Sequence, residues 1–151
     1  MNGKMGIQGF RLSVTTDADQ DIISILGDAD TRIRIHGWKL TSEAVTATLM
    51  KVNFHRISAI GSGGSASSTE ELLDEKVASA LEASVRTLDT TPGTDAGGIA
   101  EYNWEQLSTL GEIYTPEMRP ISLAGEGFAL SMDAALAGTA EIAGFICWEE
   151  L

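Results

Sequence analysis

Strict alternation of apolar and polar residues is the feature that most limits how this chain can fold. In residues 31–40, TRIRIHGWKL, the side chains of Ile33, Ile35 and Leu40 alternate with basic residues and a histidine. Because neighbouring side chains of a strand point to opposite faces, this pattern predicts a half-buried strand with a basic outer side. Gly37 and Trp38 shift the phase, which predicts a bulge at that point.

The same period recurs along the chain, in residues 10–15, 22–26, 45–57, 81–86, 102–104, 128–132 and 141–151. Glycine and proline pairs separate these runs, among them Pro92-Gly93 and Gly97-Gly98, which predict turns. We therefore expect eight or nine short strands and little helix. One helix candidate is residues 68–79, where Ser68 and Glu71 match a capping box, although a loop fits as well.

The number and length of these strands favour an all-β protein, an antiparallel β-sandwich of jelly-roll type. An immunoglobulin-like sandwich is the alternative, but the single Cys147 cannot supply its paired cysteines. The stretch GSGGSASSTEELL at residues 61–73 resembles a linker, yet the runs on either side are each too incomplete to cover a sheet. We predict one domain over residues 1–151, with a long Gly/Ser loop at about 58–70.

Charge is distributed unevenly along the 151 residues. The net charge is −12; residues 1–60 hold seven Lys/Arg against six Asp/Glu, and residues 61–151 hold three against sixteen. An acidic surface repels phosphates, so we expect neither nucleic acid nor membrane as a partner. No apolar run approaches the length of a membrane span, and the first residues lack the features of a secretory signal. One cysteine fits synthesis in a reducing cytoplasm.

Residues with catalytic potential are few. His36 and His55 both fall on the polar side of an alternating run, and neither has a catalytic partner nearby in the sequence. Neither a nucleophile elbow nor a complete phosphate-binding loop occurs. Glu149 and Glu150 are adjacent, so in a strand they face opposite ways and cannot act as an acid/base pair. We predict no catalytic and no cofactor-binding residues.

A calcium loop is the one metal motif worth testing. Asp17, Asp19, Asp21 and Asp28 have the spacing of ligands 1, 3, 5 and 12 of such a loop, but Ile22 occupies the position that requires glycine. Residues 22–26 also have the composition of a strand. We therefore predict no metal site.

Several segments together resemble a known family. They are RIRIHGWKL at residues 32–40, the β-run ending in FHRIS, GEGFAL at residues 125–130 and GFICWEE at residues 144–150. With the loop between them, they resemble the small jelly-roll head decoration (cement) proteins of tailed bacteriophages. The resemblance implies a homotrimer on the outer capsid surface, near three-fold positions, and brings no catalytic residues with it.

The expected function follows from that resemblance. It is a non-enzymatic structural virion protein, made in the host bacterial cytoplasm, that binds the major capsid protein as a trimer and stabilises the head. The exposed-looking stretch 113–120 and the N-terminus supply the expected contacts, which are Met1, Phe10, Tyr114, Pro116, Met118 and Arg119. The alternative is a receptor- or glycan-binding jelly-roll module of a tail fibre or tip, which would need an aromatic-lined groove.

Overall fold

The computed structural model describes residues 3–14, 19–43, 49–67, 71–73, 80–132 and 140–151. In these ranges the chain forms eleven strands and one 3₁₀ turn, Pro116–Met118. The strands are β1 Lys4–Val14, β2 Gln20–Leu26, β3 Ile33–Ser42, β4 Leu49–Ala59, β5 Ser65–Ala66, β6 Glu71–Leu72, β7 Ser84–Asp89, β8 Thr94–Glu105, β9 Leu110–Ile113, β10 Gly127–Met132 and β11 Ala140–Glu150.

Two antiparallel sheets form a sandwich. The first sheet has the order β6-β1-β11-β3-β9, and the second has the order β5-β7-β2-β10-β4-β8. When β5, β6 and β7 are set aside, the first sheet holds β1, β3, β9 and β11, and the second holds β2, β4, β8 and β10. The chain therefore crosses to the other sheet after every strand from β1 to β4 and again from β8 to β11, which is the winding of an eight-stranded jelly roll. The predicted all-β sandwich is confirmed. The predicted eight or nine strands are too few, because β5, β6 and β9 lie outside the predicted runs.

Apolar side chains from both sheets fill the space between them. Trp38, Trp104 and Trp148 are fully buried, and the rings of Phe54 and Phe128 stack with centroids 5.5 Å apart. Aromatic side chains bury the largest apolar areas, so these five residues dominate the stabilisation of the core. The tryptophans, expected in the core or at an interface, lie in the core.

The phase shift in β3 is a bulge, as predicted. The register between β3 and β11 shifts between Cys147 and Trp148, opposite Gly37. Ile33 and Ile35 before the bulge and Trp38 after it all face the core, which strict alternation would not allow. Gly37 itself lies on the outer face beneath Ile113, whose Cδ1 would be only 2.5 Å from an added Cβ.

The turn predicted at Gly97-Gly98 is wrong, because β8 runs through both residues. The register of β8 against β4 shifts near His55 and again near Ile57. Gly97 has φ +131° and open space around it, so the strand absorbs the irregularity as bulges instead of ending. β8 therefore continues as the edge strand of the second sheet through both glycines.

The described parts of the Gly/Ser stretch, residues 61–67 and 71–73, contain two short strands. β5 pairs with β7, and β6 pairs with β1. Gly63 has φ +88°, and an added Cβ on Gly64 would be 2.1 Å from the carbonyl oxygen of Thr87, so both positions require glycine. The helix expected at residues 68–79 is wrong at 71–72, which form β6, and its other residues lie outside the described ranges except Leu73.

Candidate functional site

Four neighbouring strands place a polar cluster on the outer side of the second sheet. Asp21 lies in β2, Ser131 in β10, His55 in β4 and Asp95 in β8. His55 Nδ1 is 2.8 Å from Asp95 Oδ1, and His55 Nε2 is 2.6 Å from Ser131 Oγ. Ser131 Oγ donates to Asp21 Oδ1 over 2.6 Å, and the backbone N–H of Gly93 donates to Asp21 Oδ2 over 2.7 Å. The cluster is thus a continuous hydrogen-bonded chain.

Nucleophile, base and carboxylate of a hydrolytic triad have this order, but the protons are placed differently. A serine hydroxyl has one proton, and that of Ser131 is donated to Asp21 Oδ1 over 2.6 Å. The hydroxyl therefore has no proton left to give to His55, which a nucleophile and its general base require.

The exposed end of this cluster opens into a cleft of about 360 Å³. Asp95 lies at its mouth, with 68 % of its side chain exposed, while Asp21 is 1 % exposed. The hydrogen bond from His55 lowers the pKa of the Asp95 carboxyl, with a smaller contribution from the backbone N–H of Gly97. The cleft lining carries three carboxylates, those of Asp19, Asp95 and Glu101.

A second buried carboxylate fastens the Gly/Ser stretch to the same sheet. Asp89 is fully buried; it accepts from Arg86 Nε and Nη2 at 2.9–3.0 Å and from the backbone N–H of Gly64 at 3.0 Å. The backbones of Ser62 and Thr91 also pair. Asp21 and Asp89 therefore hold two connecting segments against the outer side of the second sheet.

His36 lies on the outer face of the first sheet, on the opposite side of the sandwich from His55, so the two histidines do not meet. Its Nε2 is 3.2 Å from Glu149, which also accepts from Arg34 over 2.9 Å. The placement of both histidines on the polar side of their strands is confirmed. The carboxylate partners were not predicted, because they come from strands distant in sequence.

Glu149 and Glu150 do face opposite ways, as predicted. The Glu150 carboxylate is buried and accepts from the backbone N–H groups of Glu82 and Ala83 at 2.8–3.0 Å. It therefore joins the end of β11 to the segment that leads into β7. Three hydrogen bonds satisfy this carboxylate, which makes it a structural group.

The calcium-loop spacing does not form a loop. Residues 20–26 are strand β2, extending roughly 17 Å between residues 21 and 26 at about 3.3 Å per residue, far beyond the reach of one ion. Asp21 is engaged by Ser131 and Gly93, and Asp28 accepts from the backbone N–H of Ala29. Asp17 lies outside the described residues. In the described ranges no group of three His, Cys, Asp or Glu side chains is placed to hold a metal ion.

The outer face of the first sheet differs from that of the second. Here Ile7, Cys147, Gly37 and Ile113 are successive cross-strand partners on β1, β11, β3 and β9. Phe145 lies on the same face of β11 and is half-buried. Burial raises the pKa of the Cys147 thiol. We call Ile7, Phe145, Cys147 and Ile113 the sheet-face patch.

Two of the expected contact residues pack inside the sandwich. Phe10 packs against the core on the inner side of β1, opposite Gly144. Tyr114 stacks on Phe54 with ring centroids 6.2 Å apart, and its hydroxyl accepts from Trp38 Nε1 at 3.3 Å. Both remain half-buried. Met1 lies outside the described residues.

The other expected contacts lie on a segment along the edge of β3. Pro116 and Met118 are exposed, Met118 at 70 %, while Arg119 is half-buried with an Nε atom that has no partner among the described residues. Leu123, further along, is 68 % exposed. The backbone is anchored to β3, since Ile35 N–H donates to the carbonyl of Pro120. We call residues 115–123 the edge segment.

Fold and surface together define the class of protein, a jelly-roll β-sandwich. Buried carboxylates hold connecting segments against the outer face of the second sheet, whereas no described connection covers the outer face of the first. No protein-family model matches the chain, and no curated protein matches it. Among solved structures, the chain has a weak similarity to the crystal structure of the infectious bursal disease virus VP2 subviral particle, at 14 % identity and a TM-score of 0.18. That match covers 96 % of this chain and 41 % of the other, so this chain spans about two fifths of its length. A similarity this low supports no conclusion about fold or function, and the fold assignment rests on the strand order alone.

In the part of the chain that the structure describes, no helix is long and apolar enough to cross a bilayer.

Proposed function

We propose that this chain is a structural virion protein, a capsid decoration or cement protein of a tailed bacteriophage that binds the outer capsid surface as a trimer. The observation that supports this proposal most directly is the exposure of large apolar side chains on a complete jelly roll. Ile113, Met118 and Leu123 are 75, 70 and 68 % exposed within eleven residues of chain. Such a series next to a well-formed core is typical of a surface that a partner covers.

The partner in this proposal is the major capsid protein, and the edge segment is the contact. Met118 and Leu123 would enter apolar depressions of the shell. A short 3₁₀ turn anchored on both sides by β3 presents these side chains with little ordering cost. Synthesis would take place in the host cytoplasm, followed by addition to the assembled head.

Catalysis is not part of the proposed role. The Ser131 hydroxyl, the most nucleophile-like group of the cluster, donates its hydrogen bond to the buried Asp21 and so has no proton left to donate to His55. A fluorophosphonate reagent should therefore leave Ser131 unlabelled. Stoichiometric labelling that Ser131→Ala abolishes would overturn this part of the proposal.

A receptor- or glycan-binding module of a phage tail remains the second candidate, supported by one observation. The cleft beside His55 carries the carboxylates and the Asn53 amide that hydroxyl-rich ligands favour. However, Trp38, Trp104 and Trp148 are buried in the core and cannot stack on a sugar. Binding of the isolated protein on a glycan array, lost in Asp95→Ala, would favour this candidate.

The deciding experiment is quantitative protein analysis of purified phage heads and tails. The proposal predicts this chain in heads at a fixed ratio to the major capsid protein, and occupancy that falls when Met118 and Leu123 are both changed to Ser. The matched control is Leu73→Ser, which removes an apolar side chain that is 50 % exposed and lies outside the edge segment. Recovery in tails alone, or absence from both, would contradict the proposal.

A further inference from the structure

The sheet-face patch has the shape of a docking surface. Its residues Ile7, Cys147 and Ile113 lie in one cross-strand row, separated only by Gly37, whose missing side chain leaves the row flat. Phe145 lies two residues further along β11, beside Gly9 of β1. No described segment crosses this face in the way that the connections fastened by Asp21 and Asp89 cover the second sheet.

Two ion pairs neutralise charges around the patch within the chain. Arg11 contacts Glu141, and Arg34 contacts Glu149 over 2.9 Å. Lys39, whose backbone pairs with Phe145, is exposed and forms no ion pair with any described residue. Arg119 of the edge segment is half-buried, and its charge acts on the Cys147 thiol. In a chain of net charge −12, Lys39 is thus an exposed cation on this face without an ion pair to a described residue.

A second surface of the same chain is complementary to the sheet-face patch, because it combines exposed leucines with carboxylates. On the outer side of β8 and β4, Leu49 is 68 % exposed opposite Glu105, and Leu107 in the following turn is 55 % exposed. Glu101 and Glu105 are exposed and form no ion pair with described residues, although Lys51 lies between them on β4. We call Leu49, Glu101, Glu105 and Leu107 the acidic edge.

Size and charge both favour contact between these two different surfaces. Four strands about 4.8 Å apart and roughly nine residues long give the first sheet a projected face of roughly 600 Å². That is close to the ~800 Å² per partner of a standard interface. Two sheet faces meeting each other would oppose Lys39 with Lys39, whereas the acidic edge supplies carboxylates for it.

We propose that copies of this chain assemble head to tail, the sheet-face patch of one copy docking on the acidic edge of the next. Contacts between two different surfaces close into a ring when the rotation per subunit allows it, which is how a trimer would form. The inference rests on the proposed function, because it assigns the surfaces that would hold the decoration trimer together.

Charge reversal tests the pairing directly in the full-length protein. Lys39→Glu should weaken assembly at least ~10-fold, measured by sedimentation, and Glu101→Lys with Glu105→Lys should weaken it similarly. Combining all three changes should restore assembly to within about threefold of the wild type, because opposite charges again face each other. Arg32→Glu, an exposed charge reversal outside both surfaces, is the control and should leave assembly unchanged.

Cys147 supplies an independent readout, since it is the one cysteine of the chain and belongs to the patch. Maleimide should label it several-fold more slowly at concentrations where the wild type assembles than in Lys39→Glu at the same concentration. Three results would each overturn the inference. They are equal labelling rates for the wild type and Lys39→Glu, an unchanged assembly mass in Lys39→Glu or in Glu101→Lys with Glu105→Lys, and a triple variant that stays dissociated. An oligomer with these properties that is absent from purified heads would instead contradict the proposed function and leave the docking inference intact.

Discussion

The outer faces of the two sheets are built in opposite ways. On the second sheet, the carboxylates of Asp21 and Asp89 are buried and fully engaged, and each accepts from the backbone of a connecting segment. On the first sheet, Ile7, Phe145 and Cys147 form a half-exposed surface that no described connection covers. One face completes itself within the chain, and the other leaves apolar area without a partner.

That difference separates the stabilising groups from the interaction surface. Burying a charged group costs free energy unless hydrogen bonds compensate for the lost water. The polar cluster of the second sheet meets that condition, so its role is structural. Half-exposed apolar side chains cost little in the free chain and gain when covered. Substitutions in the polar cluster of the second sheet should therefore change the free energy of unfolding, whereas substitutions in the sheet-face patch should change assembly.

The largest expected effect on unfolding comes from Asp21→Ala. Removing this carboxylate leaves the Gly93 N–H and the Ser131 hydroxyl without their acceptor in a buried place, which should cost about 3 kcal/mol in the free energy of unfolding. Urea denaturation measures it. Asp28→Ala, which removes one exposed contact to Ala29, is the control and should change stability by less than about 1 kcal/mol. Equal effects would refute the structural role of the cluster.

Adjacent glutamates at the end of β11 provide the next comparison. Glu150→Gln replaces a buried carboxylate that accepts three backbone hydrogen bonds, so we expect a loss of about 2 kcal/mol. Glu149→Gln, one residue away on the open face, should cost less than about 1 kcal/mol. The reverse order of the two urea midpoints would show that the inside and outside of β11 are assigned wrongly.

Ser131→Ala should have a smaller effect, about 1 kcal/mol, because Asp21 keeps its hydrogen bond from Gly93. In the Asp21→Ala background the same change should cost almost nothing, since the two residues act as one unit. A double-mutant cycle measured by thermal or urea unfolding gives the coupling. Additive losses would mean that the hydroxyl and the carboxylate contribute independently.

The smallest effect is the pH dependence that Asp95 contributes. Its folded pKa lies below the ordinary value of 3.8, so its contact with His55 stabilises the fold above that value and is lost as the pH falls below it. Asp95→Asn should therefore lower the urea midpoint slightly at pH 6, and by less as the pH falls below 3.8. Because most of this side chain is exposed, solvent screening keeps the difference small. A difference that grows on acidification would have the wrong sign.

Much of the fold is predictable from alternation, since one buried face per sheet imposes period two on every long strand. It correctly indicates the inner residues of β1, β3, β10 and β11, and the phase shift at Gly37 indicates the bulge. It fails at β8, because Gly97 and Gly98 have the composition of a turn and only the pairing with β4 shows them to be bulged strand.

The polar cluster could not be predicted, because its members come from β2, β4, β8 and β10 and have no fixed spacing in sequence. Asp21 and Asp95 lie near other acidic residues, and only the sheet order brings them to His55. The exposure of residues 113–120 was predictable from apolar residues beside prolines, and Met118 does lie at the surface. The partial burial of Tyr114 was not predictable, because its contact with Phe54 depends on both sheets.

Mass measurement by light scattering on the isolated protein tests the central claim, that the open face is a contact surface between copies. We expect the mass of a trimer, about 48 kDa or three times the 16.0 kDa chain, at micromolar concentration. We also expect Asp95→Asn to keep this mass and Lys39→Glu to lose it. A wild-type mass of 16.0 kDa under the same conditions would contradict the account.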